Sequence, residues 1–253
     1  MLEFTWQQRI RMQIARIPGM RRAYDVLRLI VAPRFREDGL ATTHNCDFIN
    51  DPDFRRAYEA AQRHESGVNI RWRMHVTQWA GFHALQLEGD FVECGVNRGF
   101  LSASVMAYLD FASRKDRTFH LIDTYSGLVE SLITDEDVAA HRHPYPDCYD
   151  FVVRAFSHYP NANIVRGAVP DVLPSVPINK VAYLSIDMNC VQPEVAAMEY
   201  FWPKLSPGGV VILDDYGFSG HEAQKRAADR FAESVGCRIL AMPTGQGLLF
   251  KSR

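Results

Sequence analysis

Three aspartates carry the clearest chemical signal in this sequence. Asp187 ends one β-rich run, Ile186-Asp187-Met188-Asn189, and Asp214 and Asp215 end another, Leu213-Asp214-Asp215-Tyr216. If both runs are strands of one open α/β sheet, their carboxyl ends share a rim, and ligands of such sheets bind outside that rim. Three carboxylates gathered there repel one another unless a cation neutralises them. Their hard oxygen donors suit Mg²⁺, with water or substrate completing the shell. The competing reading makes Asp214-Asp215 a helix cap and gives Asp187 to another ligand. Adjacent acids at a strand end are more than a cap requires.

A second cluster lies upstream. The run Glu93-Cys94-Gly95-Val96-Asn97-Arg98-Gly99 leaves a strand, turns tightly at Gly95, and lets a helix approach closely at Gly99. Its spacing is ExGxxxG, without the middle glycine of the GxGxxG turn that cradles a pyrophosphate. An acid in the turn suits a cationic ligand, and S-adenosylmethionine carries both an ammonium and a sulfonium. Glu93 is expected at the methionine end, with Gly95, Arg98 and Gly99 around it. The next strand ends in Asp123, followed by Thr124, Ser126 and Gly127; a carboxylate there can accept hydrogen bonds from both ribose hydroxyls. Gly167 and Ala168 fall where an adenine edge would lie, and Asp187 borders the same ligand.

S-adenosylmethionine is a methyl donor, and a protic acceptor of that methyl would need a proton acceptor near the rim. His141 and His143, in the long connection after Asp123, are the candidates, with nothing to choose between them; an exposed polar loop is the plainer alternative for each. His141, His143 and Cys148 match no familiar zinc spacing. His120 alternates within a strand and reads as structural; His221, at a helix start, could touch substrate, with capping as the default reading.

The elements that position these residues change character near Glu88. Before it the pattern is helical: Trp6, Ile10, Ile14 and Ile17 at three- and four-residue steps, then Met20–Val31, a start at Asn50-Asp51-Pro52, Phe54–Arg63, and Val68–Leu87 with Trp72, Val76, Trp79 and His83 on one face. After it, short β-rich runs alternate with helical ones, the sign of a mostly parallel sheet with crossover helices. The last two strands, joined by Thr244-Gly245-Gln246-Gly247, read as an antiparallel hairpin. The expected architecture is therefore α/β and Rossmann-like: a helical segment over 1–87, then a seven-stranded domain over 88–253 that binds the cofactor.

Bulk properties narrow the setting. A formal net charge of -2 gives no general attraction to nucleic acid. The opening segment is nonetheless basic, with Arg9, Arg11, Arg16, Arg21, Arg22, Arg28, Arg34 and Arg36. An amphipathic arm packed on the core or on a second copy, giving a homodimer, is the main reading; a membrane-surface helix is the sharper one. No apolar run reaches the ~20 residues of a membrane span, and the start has no apolar leader core. Five scattered cysteines form no CxxC pair and read as free thiols of a cytoplasmic protein.

Taken together, Glu-Cys-Gly-Val-x-Arg-Gly at 93–99, Asp-x-Tyr-x-Gly-Leu at 123–128, Ile-Asp-Met-Asn at 186–189 and Leu-Ser-Pro-Gly-Gly-Val-Val-Ile-Leu-Asp-Asp-Tyr-Gly at 205–217 resemble the macrocin/mycinamicin sugar O-methyltransferases over residues 45–253. The resemblance implies a class I fold, S-adenosylmethionine, Mg²⁺ held by Asp187, Asp214 and Asp215, a ribose-binding Asp123, and a sugar hydroxyl as acceptor. One departure is local: the family pattern Asp-x-Asp-x-Tyr-x-Ser here reads Asp187-Met188-Asn189-Cys190-Val191-Gln192-Pro193. The acceptor pocket is therefore expected to differ from a macrolide site, and a saccharide, glycan or methylated mannose polysaccharide fits as well as a glycosylated metabolite. A catechol-like hydroxyl is the nearest alternative acceptor. A nicotinamide oxidoreductase and a non-catalytic cofactor-binding scaffold are the readings from other classes.

Overall fold

The computed structural model describes residues 19–137 and 145–252, with positions 13 and 17. Trp6, Ile10 and Ile14 of the expected first helix, and both loop histidines His141 and His143, lie outside the described residues. The chain divides into two compact units, Met1–Ile49 and Asn50–Arg253.

In the first unit, α1 spans Met20–Val31, as its apolar spacing predicts, and none of its residues is buried. Arg36 donates to the carbonyls of Leu29 and Ile30 at 3.0 and 2.6 Å, satisfying acceptors that a helix end leaves open. A two-stranded hairpin follows, β1 (Phe35–Glu37) with β2 (Leu40–Thr42). Its turn is Asp38-Gly39, both at positive φ, the dipeptide such tight turns favour. The sequence reading gave this stretch no strands, because three-residue strands show too little alternation to register.

The second unit starts with α2 (Pro52–His64). Asp51 caps it, accepting from the backbone N–H groups of Asp53 and Phe54, and Pro52 fills the first turn. Then comes α3 (Arg71–Ala84), whose buried residues are Met74, Val76, Thr77, Gln78, Ala80, Gly81 and Ala84. The four residues read as one face do not share one environment: Val76 is buried, but Trp79 is 50% exposed. Small side chains at 77, 80, 81 and 84 allow close helix approach, and bulky Trp79 is turned outward.

The sheet elements follow in order: β3 (Asp90–Cys94), α4 (Phe100–Tyr108), β4 (Phe119–Asp123), α5 (Tyr149–Phe156), β5 (Ala162–Arg166), β6 (Val181–Ile186), α6 (Val191–Phe201), β7 (Leu205–Leu213), α7 (Glu222–Ser234), β8 (Leu240–Ala241) and β9 (Gly247–Phe250). Strand order is β5-β4-β3-β6-β7-β9-β8. The first five of these pair in parallel, and β9 runs antiparallel to both β7 and β8. The expected seven-stranded sheet with its closing hairpin is present. β7 begins at Leu205, before its apolar run, because Gly208 and Gly209 still pair with Lys251.

Alternate residues of each strand feed opposite faces. Phe91, Phe119, Tyr183 and Val210 pack with Val76, Ala80, Val105 and Phe156 on one face; Val92, Ile122, Leu184 and Val211 pack with Met198, Phe201 and Phe231 on the other. Val76 and Ala80 of α3 thus belong to the core of the sheet, and the boundary between units falls at Ile49/Asn50, upstream of Glu88. Among the described residues no helix is long and apolar enough to cross a membrane. All five cysteines are free thiols.

Candidate active site

The carboxyl edge of the sheet is stitched into one row by backbone hydrogen bonds. Gly95 donates to Ile122, Gly167 to Asp123, Asp187 to Cys94 and Asp214 to Ile186, at 2.9 to 3.0 Å. These are the residues directly after β3, β5, β6 and β7, so the topology alone gathers them on one rim. Gly95 has φ +88°, and a Cβ there would overlap the Asp187 carbonyl. Only glycine lets the first turn lie this close to the end of β6.

Above the rim is a cavity of about 300 Å³. Of the residues expected around the cofactor, Gly95, Asp123, Thr124, Gly127, Gly167, Ala168 and Asp187 line it. Asp123 is the hub of this end. Its Oδ2 accepts from the backbone N–H groups of Val96 and Asn97 at 2.6 and 2.7 Å, and its Oδ1 from that of Tyr125 at 2.7 Å. Thr124 donates its hydroxyl to the Gly127 carbonyl at 2.5 Å, holding the next turn.

Four expected residues stand away from the lining. Glu93 is buried beneath it and accepts from the Ser102 hydroxyl. Burial pushes its carboxyl up to about 8. Arg98 lies 3.9 Å over the Phe151 ring and donates to the His64 carbonyl, while the His64 ring nitrogen meets the Arg98 carbonyl. Gly99 caps α4 beside the Phe156 ring, and Ser126 is exposed.

At the other end Asp187, Asp214 and Asp215 each present a carboxylate oxygen within 4.8 Å of the others. Asp187 is held well above the ordinary carboxylate value, first by burial and then by the Asp214 and Asp215 charges. Asp214 has both oxygens engaged. Arg73 of α3 donates to Oδ2 at 2.6 Å, and Gln246 donates to Oδ1 at 2.9 Å, with its own amide oxygen accepting from Thr244. The donor set is all carboxylate oxygen, close-spaced and anionic, which fits a hard divalent cation such as Mg²⁺.

Several contributors went unread in the sequence. Arg73 sat inside a helical run, and Gln246 inside what read as a mere turn. Asn97 lines the cavity through the loop that Asp123 holds. Tyr145 lines it too, its phenol pushed up to about 12 by burial and by Asp187 and Asp215. Glu194, buried, accepts from the Met188 N–H at 3.3 Å and shapes the turn in which Asn189 takes φ 57°. His120 is structural, bridging Asp90 and Asn163. His221 makes no cap hydrogen bond; its ring nitrogen lies 3.5 Å from Asp215 Oδ2 and meets Gln224 at 3.0 Å.

Residues 74–238 match the model of the macrocin-O-methyltransferase (TylF) family. The chain belongs to this family. The segment matched contains the glycine turn, Asp123 and all three rim aspartates. Among curated proteins, a mycinamicin III 3''-O-methyltransferase of Micromonospora griseorubida is 30% identical over 142 residues, 51% of this chain and 55% of that protein. An 8-demethyl-8-(2,3-dimethoxy-alpha-L-rhamnosyl)-tetracenomycin-C 4'-O-methyltransferase of Streptomyces olivaceus is 32% identical over 138 residues, 51% and 53% of the two chains. The chain thus spans about half the length of the curated relatives it matches. In fold it is similar to the O-methyltransferase NovP, with a TM-score of 0.62 and 24% identity over 72% of this chain and 80% of that one. The calicheamicin methyltransferase CalS11 superposes with a TM-score of 0.61 at 16% identity, covering 98% of this chain and 94% of that one.

Proposed function

We propose that this protein transfers a methyl group from S-adenosylmethionine to a hydroxyl of a sugar unit, on a glycosylated small molecule or a glycan, with Mg²⁺ at Asp187, Asp214 and Asp215. The observation that carries the reading is the convergence of three carboxylate oxygens within 4.8 Å on the rim of the same cavity that Asp123 and Gly95 line. Family membership and the sugar-modifying names of two relatives support it.

When bound, S-adenosylmethionine supplies the electrophilic methyl and Mg²⁺ a Lewis-acid centre that favours the ionised acceptor hydroxyl. The chain's own residues do the positioning. Asp123 holds the glycine turn and would accept from ribose hydroxyls; Gly167 and Ala168, which line the same cavity, would face the adenine edge; the rim aspartates would hold the metal. Such placement converts a bimolecular encounter into an in-line displacement of restricted geometry. The proton acceptor is assigned to His141 or His143, in the long connection after Asp123. The five free thiols fit a reducing cytoplasm, and the apolar positions of α1 fit a homodimer, which sedimentation equilibrium would test.

The reading is tested by titrating S-adenosylhomocysteine calorimetrically, then assaying methyl transfer to a panel of sugars and catechols with and without chelator. Micromolar binding with chelator-sensitive transfer to a sugar is the expected result. Turnover indifferent to chelation removes the metal, and transfer confined to catechols removes the sugar.

A further inference from the structure

We propose that Arg73 is the built-in counter-charge of the aspartate trio and sets how tightly the site holds a divalent cation. The proposal rests on the metal reading above. Arg73 reaches Asp214 across 141 positions of sequence, and in this ion pair the two side chains are only 16% and 3% exposed. Its guanidinium also lies 4.6 Å from the centroid of the Phe218 ring, so two residues of the β7–α7 connection fix it. It lines the same cavity as all three aspartates. A guanidinium cannot shed its charge in this setting.

The charge balance gives the arrangement its meaning. Three carboxylates and one guanidinium leave two net negative charges, which one divalent cation neutralises. Without Arg73 the loaded site keeps one uncompensated negative charge. It then binds every cation more strongly, trivalent ions most, because the attraction scales with the product of charges. Gln246 is the neutral counterpart, since it orients the same carboxylate without altering the balance. Arg73 and Gln246 both lie just outside the family-matched residues 74–238.

The experiment is titration of the purified full chain with Mn²⁺, followed by electron paramagnetic resonance, and with Tb³⁺, followed by luminescence. For Arg73→Met we expect about tenfold tighter Mn²⁺ binding and a larger gain for Tb³⁺. Arg73→Lys, which retains the charge, should stay within about threefold of wild type for both ions. Gln246→Leu should weaken both ions alike, about tenfold. If Arg73→Met does not fold, Arg73→Gln replaces it, removing the charge while retaining a donor to Asp214. Unchanged or weaker binding of both ions by the neutral variant, with S-adenosylhomocysteine affinity intact, overturns the proposal. Wild type that binds no Mn²⁺ overturns the metal reading itself, and the proposal with it.

Discussion

At one end of the cavity Asp123 accepts three backbone N–H groups, from Val96, Asn97 and Tyr125; at the other, Asp214 is gripped by the side chains of Arg73 and Gln246. The first end is built from main chain and loops near in sequence to their partners. The second is built from side chains delivered by a helix before the sheet and a turn near its last strand. Main-chain anchors are insensitive to which side chains surround them, so this end tolerates variation nearby. Side-chain anchors can be exchanged one at a time, so the aspartate end is where the chemistry can be tuned.

The largest effect should come from the second end. Asp187→Asn removes a ligand from the trio, and Mn²⁺ binding should be lost outright while S-adenosylhomocysteine still binds. Loss of both ligands together would mean that the two ends are one unit. Asp123→Ala strips the partners from three N–H groups and should weaken S-adenosylhomocysteine about a hundredfold by calorimetry, with Mn²⁺ binding retained. Gly95→Ala strikes the seam between the ends, where the added Cβ meets the Asp187 carbonyl at positive φ; unfolding midpoints should show a loss of about 3 kcal/mol.

The smallest effect is a pH dependence beneath the glycine turn. Glu93 is raised from 4.5 to about 8 in the folded protein, chiefly by burial. The folded state therefore holds a proton that the unfolded chain releases, and this contribution to stability is lost as pH rises from about 4.5 through about 8. Glu93→Gln should flatten that decline in thermal midpoint between pH 5 and 8. An unaltered slope would show that Glu93 is ionised in the native protein.

The same contrast explains what was legible in the sequence. The glycine turn, Asp123 and the rim aspartates are strand-end residues, and a strand-end residue is placed by topology once the alternation of strands and helices is recognised. Nothing in Arg-Trp-Arg at 71–73 distinguishes Arg73 from its neighbours, which are half-buried as it is, because its role exists only when α3 is laid against the rim. Gln246 is hidden likewise in a turn whose glycines explain themselves. The apolar face read on α3 groups Trp79 with Val76, since Trp79 outweighs alanine and glycine in any apolar pattern, yet the structure buries Val76 with small residues and leaves Trp79 half-exposed. Glu93 was placed at the methionine end because an acid in such a turn suits a cationic ligand; in the structure it is buried with Ser102 as partner and does not line the cavity.

The antiparallel course of β9 carries a temporal consequence. Its reversal sets Gly247 opposite Leu213, which delivers Gln246 to the aspartates. The Asp123 hub draws on the backbone of residues 26 and 27 positions before it and of Tyr125, so its N–H partners are all present once Tyr125 has been synthesised. The aspartate end needs Arg73, Asp214 and Gln246 together, so it stays unfinished until nearly the whole second unit has emerged from the ribosome. Translation thus supplies the three N–H partners of Asp123 well before the residues that grip Asp214.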